Sequence, residues 1–319
     1  MKVFLAGIQG RYYLLERWKS ISQAGMEIYI AGGNGKWQIL AERERESMDI
    51  YMAGGITGNL FPLMKQITHT HNADISHRGA SRQEWSVLTH SLTHRPLVLE
   101  SFFYCRKNEV VPKLLPTLGG FLLDSGAFTF MQGKTLVNWD DYTEEYAEWI
   151  KAYNIEHFFE LDIDSIVGLK KVERLRSRLE QLTGRQPIPV WHKSRGKDYF
   201  LATCKDYKHV AIGGLVGNSD DVPDMYMPWF INEAHKAGAK IHGLGFTKIE
   251  KLKQFHFDSV DSTAWLYGNR GGFIYVFDSE IGNFRKINKK QGQRLKSQEA
   301  ALYNFNEWIK FQKWALKNL

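Results

Sequence analysis

The sequence predicts an α/β fold of the (β/α)8, TIM-like barrel class. Three observations predict it. From residue 118 onward, apolar runs alternate with helical patterns, the arrangement of βα units that lay down parallel strands. The units are many and their connections short, which favours closure into a barrel. A doubly wound open sheet, the alternative, would carry a glycine-rich phosphate loop after its first strand, and "AGGNGK" is only a faint imitation of one.

Taken in order, the chain opens on a short repeat. "MKVFLAG" at 1, "MEIYIAG" at 26 and "MDIYMAG" at 48 each read as a buried strand leading into a tight turn, and three strands of one sheet are expected. Residues 65 to 95 are polar and carry His69, His71, His77, His90 and His94. No carboxylate or cysteine stands at a ligand spacing, so this stretch reads as a solvated or nucleic-acid-facing segment and not as a metal site. Strands follow at "GGFLLDSGAF", "EHFFELDID", "IPVWHK", "HVAIGGLVG", "KIHGLGF", "FDSVDSTAW" and "FIYVF". Helices lie between them at "YTEEYAEWIKAYN", "GLKKVERLRSRLEQLTG", "DYFLATCKDY", "MPWFINEAHKAGA" and "KIEKLKQF". The last part, 284 to 319, begins with the basic cluster Arg285, Lys286, Lys289, Lys290, Arg294 and Lys296. It ends in a helix whose Tyr303, Phe305, Trp308, Phe311 and Trp314 dock on the barrel. The expected organisation is one domain over 1–319: N-terminal strands and the His-rich segment to 117, the polar strand ends over 118–283, and the basic C-terminal helix.

Composition narrows the functional classes. The 319 residues are 43% hydrophobic, enough for a large core, and carry a net charge of +7 with a pI near 9.1. That excess suits a polyanionic partner. Cys105 and Cys204, far apart, build neither a disulfide framework nor a zinc quartet and fit a reducing compartment. The opening "MKVFLAGIQGRYYLLERW" lacks the shape of a signal peptide, and no run approaches the ~20 apolar residues of a membrane helix. A soluble, cytoplasmic protein without a membrane partner is expected.

The polar residues gather at strand ends. "FLLDSGAF" ends on Asp124, Ser125, Gly126 and Phe128; "FFELDID" on Asp162 and Asp164; "IPVWHK" on His192 and Lys193; "AIGGLVG" on Gly213, Gly214 and Leu215; "IHGLGF" on Gly243 and Gly245; "FDSVDS" on Asp261. In a parallel barrel all these ends open on one face, where barrel active sites lie. An Asp at a strand end often only caps the next helix, the reading taken for Asp140 and Asp220. Asp124, Asp162 and Asp261 each follow apolar residues directly, and clustered, desolvated carboxylates tend to be functional. His192 reads equally as pocket wall or packed side chain. No Ser-His-Asp set and no metal cluster appears, so carboxylate chemistry is expected, of which glycosyl transfer is the main example.

These motifs resemble those of the tRNA-guanine transglycosylase superfamily. "LLDSGAFTF" is similar to its Asp-Ser-Gly-Gly-aromatic motif, "ELDID" to its strand ending in Asp, "AIGGLVG" to its Ile-Gly-Gly-Leu-Ala-Val-Gly turn, and "HGLGF" to its later glycine turn. "FDSVDSTAW" is similar to its Asp-x-x-Asp-Cys, and the five occur in the family's order over roughly residues 118 to 275. The family's Cys-x-Cys-x-x-Cys…His zinc site is absent, "TAWLYGNR" replaces its Pro-Thr-Arg, and "PVWHKS" its Val-Gln-Gly segment. The chain therefore resembles most the zinc-free DNA-guanine transglycosylases (DpdA type) of bacteriophages and bacteria, which exchange guanine in DNA for a 7-deazaguanine.

The resemblance implies roles. Asp261 is the nucleophile and Asp124 the general acid/base. Ser125, Gly126 and Phe128 line the base site, with Leu244 on the other face. Asp162 reads the guanine edge, and His192, Gly213, Gly214 and Leu215 surround O6 and the 7-substituent. Arg270 holds phosphate, helped by Lys193 and Arg195, while Asp258 is a structural partner that holds the turn of Asp261. It further implies DNA as partner with tRNA as runner-up, a free 7-deazaguanine as co-substrate, no metal, no ATP and no redox cofactor, with a homo-oligomer open. Two rivals stand beside it. "MDIYMAGGITGN" resembles the opening of nucleoside 2-deoxyribosyltransferases, and a non-catalytic nucleic-acid-binding subunit would use the same fold.

Overall fold

The computed structural model describes residues 28–33, 36–41, 47–54, 95–108, 110–126, 129–130, 137–215, 223–246, 248–289, 291–292 and 296–319. The chain divides into two compact units, Met1–Glu46 and Ser47–Leu319.

In the first unit, β1 (Ile28–Gly33) and β2 (Lys36–Ala41) form an antiparallel hairpin with Gly33 opposite Lys36. "AGGNGK" thus joins two antiparallel strands, and Asn-Gly between two strands is a strong hairpin signal. Among the described residues, the runs at 26 and 48 do not share the single sheet expected of them. The run at 26 finds a local partner across its Asn-Gly, whereas the run at 48 pairs with distant strands of the second unit. The run at 1 and the His-rich segment lie outside the described residues.

The second unit is built on β3 (Asp49–Ala53), β4 (Leu97–Ser101), β5 (Gly120–Asp124), β6 (His157–Phe158), β7 (Val190–Trp191), β8 (His209–Ile212), β9 (Lys240–Gly243) and β10 (Ser259–Ser262). These eight strands form one sheet in the order β6-β5-β4-β3-β10-β9-β8-β7, and every pairing is parallel. A parallel bridge between Phe159 and Ile188 links the two outer strands. There Ile188 N–H donates to Phe158 O at 2.8 Å and Glu160 N–H to Ile188 O at 3.0 Å. This curled parallel sheet is compatible with a TIM-like barrel.

Two of its strands precede residue 118, where regular alternation was expected to begin. "LVLES" at 97 is a strand that the polar stretch before it obscures, and "FIYVF" is not a wall strand. It is β11 (Phe273–Asp278), paired antiparallel with β12 (Asn283–Asn288). Arg285 and Lys286 therefore sit on a strand, and the C-terminal helix starts later than 284. The helices are α1 (Phe102–Cys105), α2 (Val110–Leu114), α3 (Trp139–Ala152), α4 (Asp164–Val167), α5 (Leu169–Thr183), α6 (Lys197–Asp206), α7 (Met227–Ala237), α8 (Ile249–Leu252), α9 (Tyr267–Gly271) and α10 (Ser297–Asn318). α3 is capped by the side chain of Asn138, which accepts from Asp140 N–H. Asp140 is not the cap. It lies in the first turn and pairs with Lys171 and Arg174.

The core has an inside and an outside. Tyr51, Ala53, Leu97, Leu99, Leu122, Phe159, Ile188, Val190 and Ala211 meet in one cluster. Residues from so many strands of one sheet meet only on its concave face. Their chain neighbours of opposite parity, such as Ile50, Val98, Leu123 and Val210, pack outward against the helices, as does Val260 of β10. Of the five aromatics expected to dock, α10 buries Phe305, Trp308 and Phe311, each contributing about 1.5–3 kcal/mol, while Trp314 is partly buried and Tyr303 is exposed. Its buried Gln312 donates to Ile50 O at 2.6 Å and Leu97 O at 2.8 Å, and accepts from Leu97 N–H. It thereby bridges β3 and β4 below their short ladder. Cys105 and Cys204 are buried and unpaired with each other. Among the described residues no helix is long and apolar enough to cross a membrane.

Candidate functional site

The concave parity leads directly to the site. Stepping two residues past the interior positions Leu99, Leu122, Val190, Ala211 and Ser259 reaches Ser101, Asp124, His192, Gly213 and Asp261. Parallel strands deliver them all to the same end of the sheet.

Asp124 closes β5 opposite Ser101 of β4. Its Oδ2 accepts from Gly126 N–H at 2.9 Å. Gly126 holds φ +86°, and a Cβ there would stand 2.7 Å from Phe103 Cβ, so the Asp-Ser-Gly turn requires glycine. α3 grips the turn from outside: Tyr142 donates its hydroxyl to Ser125 O at 2.7 Å and Tyr146 to Leu123 O at 3.1 Å. Ser125 is buried, its hydroxyl without a partner among the described residues. Desolvation by the surrounding wall pushes the Asp124 carboxyl up to about 6. The Gly126 N–H opposes this, the charges of Asp162 and Asp261 add to it, and the Ser101 hydroxyl opposes it. Asp162 and Asp261 are thus near enough for Asp124 to feel both.

Asp261 sits on β10, 6% exposed. Its Oδ1 accepts from Gly245 N–H at 2.6 Å and lies 3.2 Å from His242 Nε2, while His242 Nδ1 lies 2.8 Å from Ser259 Oγ. Asp258 does not hold that turn. It stands at the opposite end of the same strand, where its Oδ2 accepts from Ile241 N–H at 2.7 Å and pairs with His235 at 2.8 Å. Burial raises the Asp258 proton affinity, but the His235 and Ile241 hydrogen bonds outweigh it and hold the carboxyl below its ordinary value.

Asp162 and His192 are engaged with each other, His192 Nε2 standing 2.8 Å from both carboxylate oxygens. Burial lowers the proton affinity of the imidazole. The hydrogen bond and charge of Asp162, with the charge of Asp164, outweigh burial and the opposing Arg195, and the net shift is upward. The ring lies over Gly213, where a Cβ would fall 2.3 Å from His192 Cε1. The glycine turn therefore exists to admit the imidazole.

Arg195 does not face phosphate. Its side chain is 1% exposed and is consumed by three acids: Nη1 to Glu160 Oε1 at 2.6 Å, Nε to Asp164 Oδ2 at 3.0 Å and Nη2 to Asp162 Oδ1 at 3.6 Å. A charged residue beside a predicted rim reads equally as surface cation or buried partner, and the three acids of "ELDID" decide for the second. Asp162, Asp164 and His192 bring ligand atoms within 4.8 Å of one another, a geometry that a metal ion could use. Arg195 already supplies the positive charge there.

The remaining expected residues divide. Leu244 packs on the interior cluster and Leu215 on the helix-side core beside β8. Gly214 adopts φ +72° at the same rim. Lys193 is exposed directly after His192. Arg270 lies in α9, its side chain outside the described residues, as is Phe128. Sequence reading passed over Ser101, Glu160, His242 and Ser259. For His242 and Ser259 the signal was there: each holds the inward parity of its strand, two residues before Leu244 and Asp261.

Fold and site together define an α/β protein that presents several carboxylates and a histidine on one rim of a curled parallel sheet. No protein-family model matches the sequence, and no curated protein matches it.

Proposed function

We propose that the protein is a base-exchanging pentosyltransferase that replaces guanine in DNA by a 7-deazaguanine, on a complete (β/α)8 barrel. One observation carries the reading. Asp124 at the end of β5 and Asp261 on β10 stand at the same end of one parallel sheet, and burial, with the charges of Asp162 and Asp261, raises the Asp124 carboxyl to about 6. A carboxyl with that proton affinity works as acid and as base near neutrality. A second one, held by two donors and partly desolvated, suits nucleophilic attack.

The chemistry then runs in two displacements. An Asp261 oxygen bonds to C1′ of the target nucleotide as the C1′–N9 bond breaks, and the electron pair leaves with guanine, which takes its proton from Asp124. Asp124 next removes the N9 proton of the incoming 7-deazaguanine. That nitrogen attacks C1′ and expels the Asp261 carboxylate, so two inversions retain the β configuration. Asp162 and His192 meet the edge of the base, and Leu244 lies beneath it. The target base must leave its stack, which costs a few kcal/mol in a duplex, and the +7 charge draws the polyanion.

The test offers DNA and unmodified tRNA side by side and follows labelled guanine into each. Label is expected in DNA, falling steeply with salt, with single-stranded sites reacting at least as well as duplex. Asp261→Asn is expected to bind DNA, exchange nothing and trap no covalent adduct. Label entering tRNA and never DNA overturns the choice of polymer, and normal turnover by Asp261→Asn overturns the nucleophile.

A further inference from the structure

We infer that His242, backed by Ser259, is the positioning residue of Asp261, and that it leaves Oδ2 of that carboxylate as the reacting oxygen. This rests on the reading of Asp261 as nucleophile.

The geometry is asymmetric. Both described donors to Asp261, the Gly245 N–H and His242 Nε2, converge on Oδ1 at 2.6 and 3.2 Å. Among the described residues none donates to Oδ2. Two donors on one oxygen fix the plane of the carboxylate and the direction of the other oxygen. The lone pairs of Oδ2 are those free to bond to C1′ as the C1′–N9 pair departs with the base.

His242 is a deliberate feature of the interior. It is 0% exposed, on a concave face otherwise filled by Tyr51, Leu97, Leu122, Phe159 and Val190. An imidazole buried there is costly unless both nitrogens are satisfied. Both are: Ser259, two residues before Asp261 on the same strand and equally inward, meets Nδ1 at 2.8 Å. A hydroxyl donating to Nδ1 leaves the proton on Nε2, the atom that faces Asp261. The rings of Phe159, Tyr51 and His209 pack around the imidazole at 5.3, 6.4 and 6.4 Å between centroids. Of these neighbours, His209 is held neutral chiefly by burial, which pushes it down to about 3. Ser259 to His242 to Asp261 is thus a closed donor chain from the sheet interior to the rim, and it spends one carboxylate oxygen to aim the other.

Nitrogen-15 NMR on the full chain with labelled histidine tests the chain of bonds without any assay of turnover, the His242→Gln spectrum identifying the signals. His242 is expected as the Nε2–H tautomer, with its shifts changed by Ser259→Ala and by Asp261→Asn. An Nδ1–H tautomer, or signals indifferent to both substitutions, overturns the inference. In base exchange, His242→Phe is expected to lower kcat by about 10²-fold with KM for DNA unchanged, the usual effect of misplacing a reacting group by about 1 Å. His242→Gln should recover most of that, because its amide N–H falls where Nε2 stood. Unchanged kcat in His242→Phe, or no recovery in Gln, also overturns it. If His242→Phe does not fold, Ser259→Ala replaces it, with a smaller loss of kcat expected and no loss overturning. Normal turnover by Asp261→Asn would sink the nucleophile instead, a result that leaves the NMR outcome separate.

Discussion

Arg195→Met tests the charge cluster under the site. The guanidinium is 1% exposed and holds Glu160, itself 0% exposed, at 2.6 Å. Removing one partner of a buried pair costs about 3–5 kcal/mol, chiefly because the other charge is left uncompensated. Here the residual charge is not abandoned, since Glu160 keeps Arg176 at 2.9 Å through Oε2 and the Val190 N–H at 2.9 Å through Oε1. Asp162 and Asp164, each 15% exposed at the side chain, gain partial access to water. The expected cost is therefore at the low end, about 3 kcal/mol. Glu160→Leu is worse, about 5 kcal/mol, because it leaves two buried guanidiniums without their shared counter-charge. In the double variant the losses fall short of additive by about 1–3 kcal/mol. Urea unfolding followed by tryptophan fluorescence measures this, with m unchanged. A loss below about 1 kcal/mol for Arg195→Met, the size of a surface ion pair, or strict additivity, would refute the reasoning.

Three other outcomes follow from the same geometry. Asp124 is raised from 3.8 to about 6, so the folded state takes up a proton that the unfolded chain does not hold, and stability falls as pH rises through that window. Asp124→Asn should match the wild type below pH ~4 and exceed it above pH ~6. The full displacement equals ~3 kcal/mol, reduced to on the order of 1 kcal/mol because the carboxyl partly faces solvent; pH-dependent melting decides. Asp258 is held below its ordinary value, so its contribution is present above the unfolded pKa and is lost as pH falls through the folded one. Asp258→Ala should cost about 1–3 kcal/mol at pH 7, less in acid, and leave base exchange unchanged, which equilibrium unfolding and kinetics together check. Gly213→Ala places a Cβ 2.3 Å from the His192 ring and should lower base exchange by about tenfold or more with little loss of stability, read by kinetics beside thermal melts.

Much of the fold was legible because helical and strand periods are local. α3, α5, α6 and α7 fall where their amphipathic patterns put them. β3 was read as a strand but not its partners, and β4 was missed. Each is five residues long and the two share a ladder of only two paired positions, Met52 with Val98 and Ala53 with Leu99. Their strand identity is completed by Gln312, more than two hundred positions away in the chain. β11 shows the converse: a good apolar run becomes half of a hairpin because β12 follows at once. At the site, Asp124, Asp162, His192 and Asp261 stood out as polar residues ending apolar runs. Arg195 could not be placed from its own neighbourhood, because its burial depends on three acids thirty or more residues earlier.

Asp258 and Asp261 show what a strand-end rule needs before it predicts chemistry. They are three residues apart, so in a strand of period two their side chains leave on opposite faces. Asp261 has the parity of Ser259 and the concave face, at the end where every parallel strand opens. Asp258 has the parity of Val260 and the helix side, at the closed end, and takes His235 of α7 and the first amide of β9's buried segment. Each carboxylate is bonded through one oxygen, Asp261 through Oδ1 and Asp258 through Oδ2, so the face and the end of the strand, not the bonding pattern, separate the rim carboxylate from the one that ties strand to helix. Reading "FDSVDS" by its apolar setting alone makes the two equivalent. Adding parity and chain direction separates them, and the same two criteria, applied to "KIHGLGF", select His242 as the side chain that reaches Asp261 from the neighbouring strand.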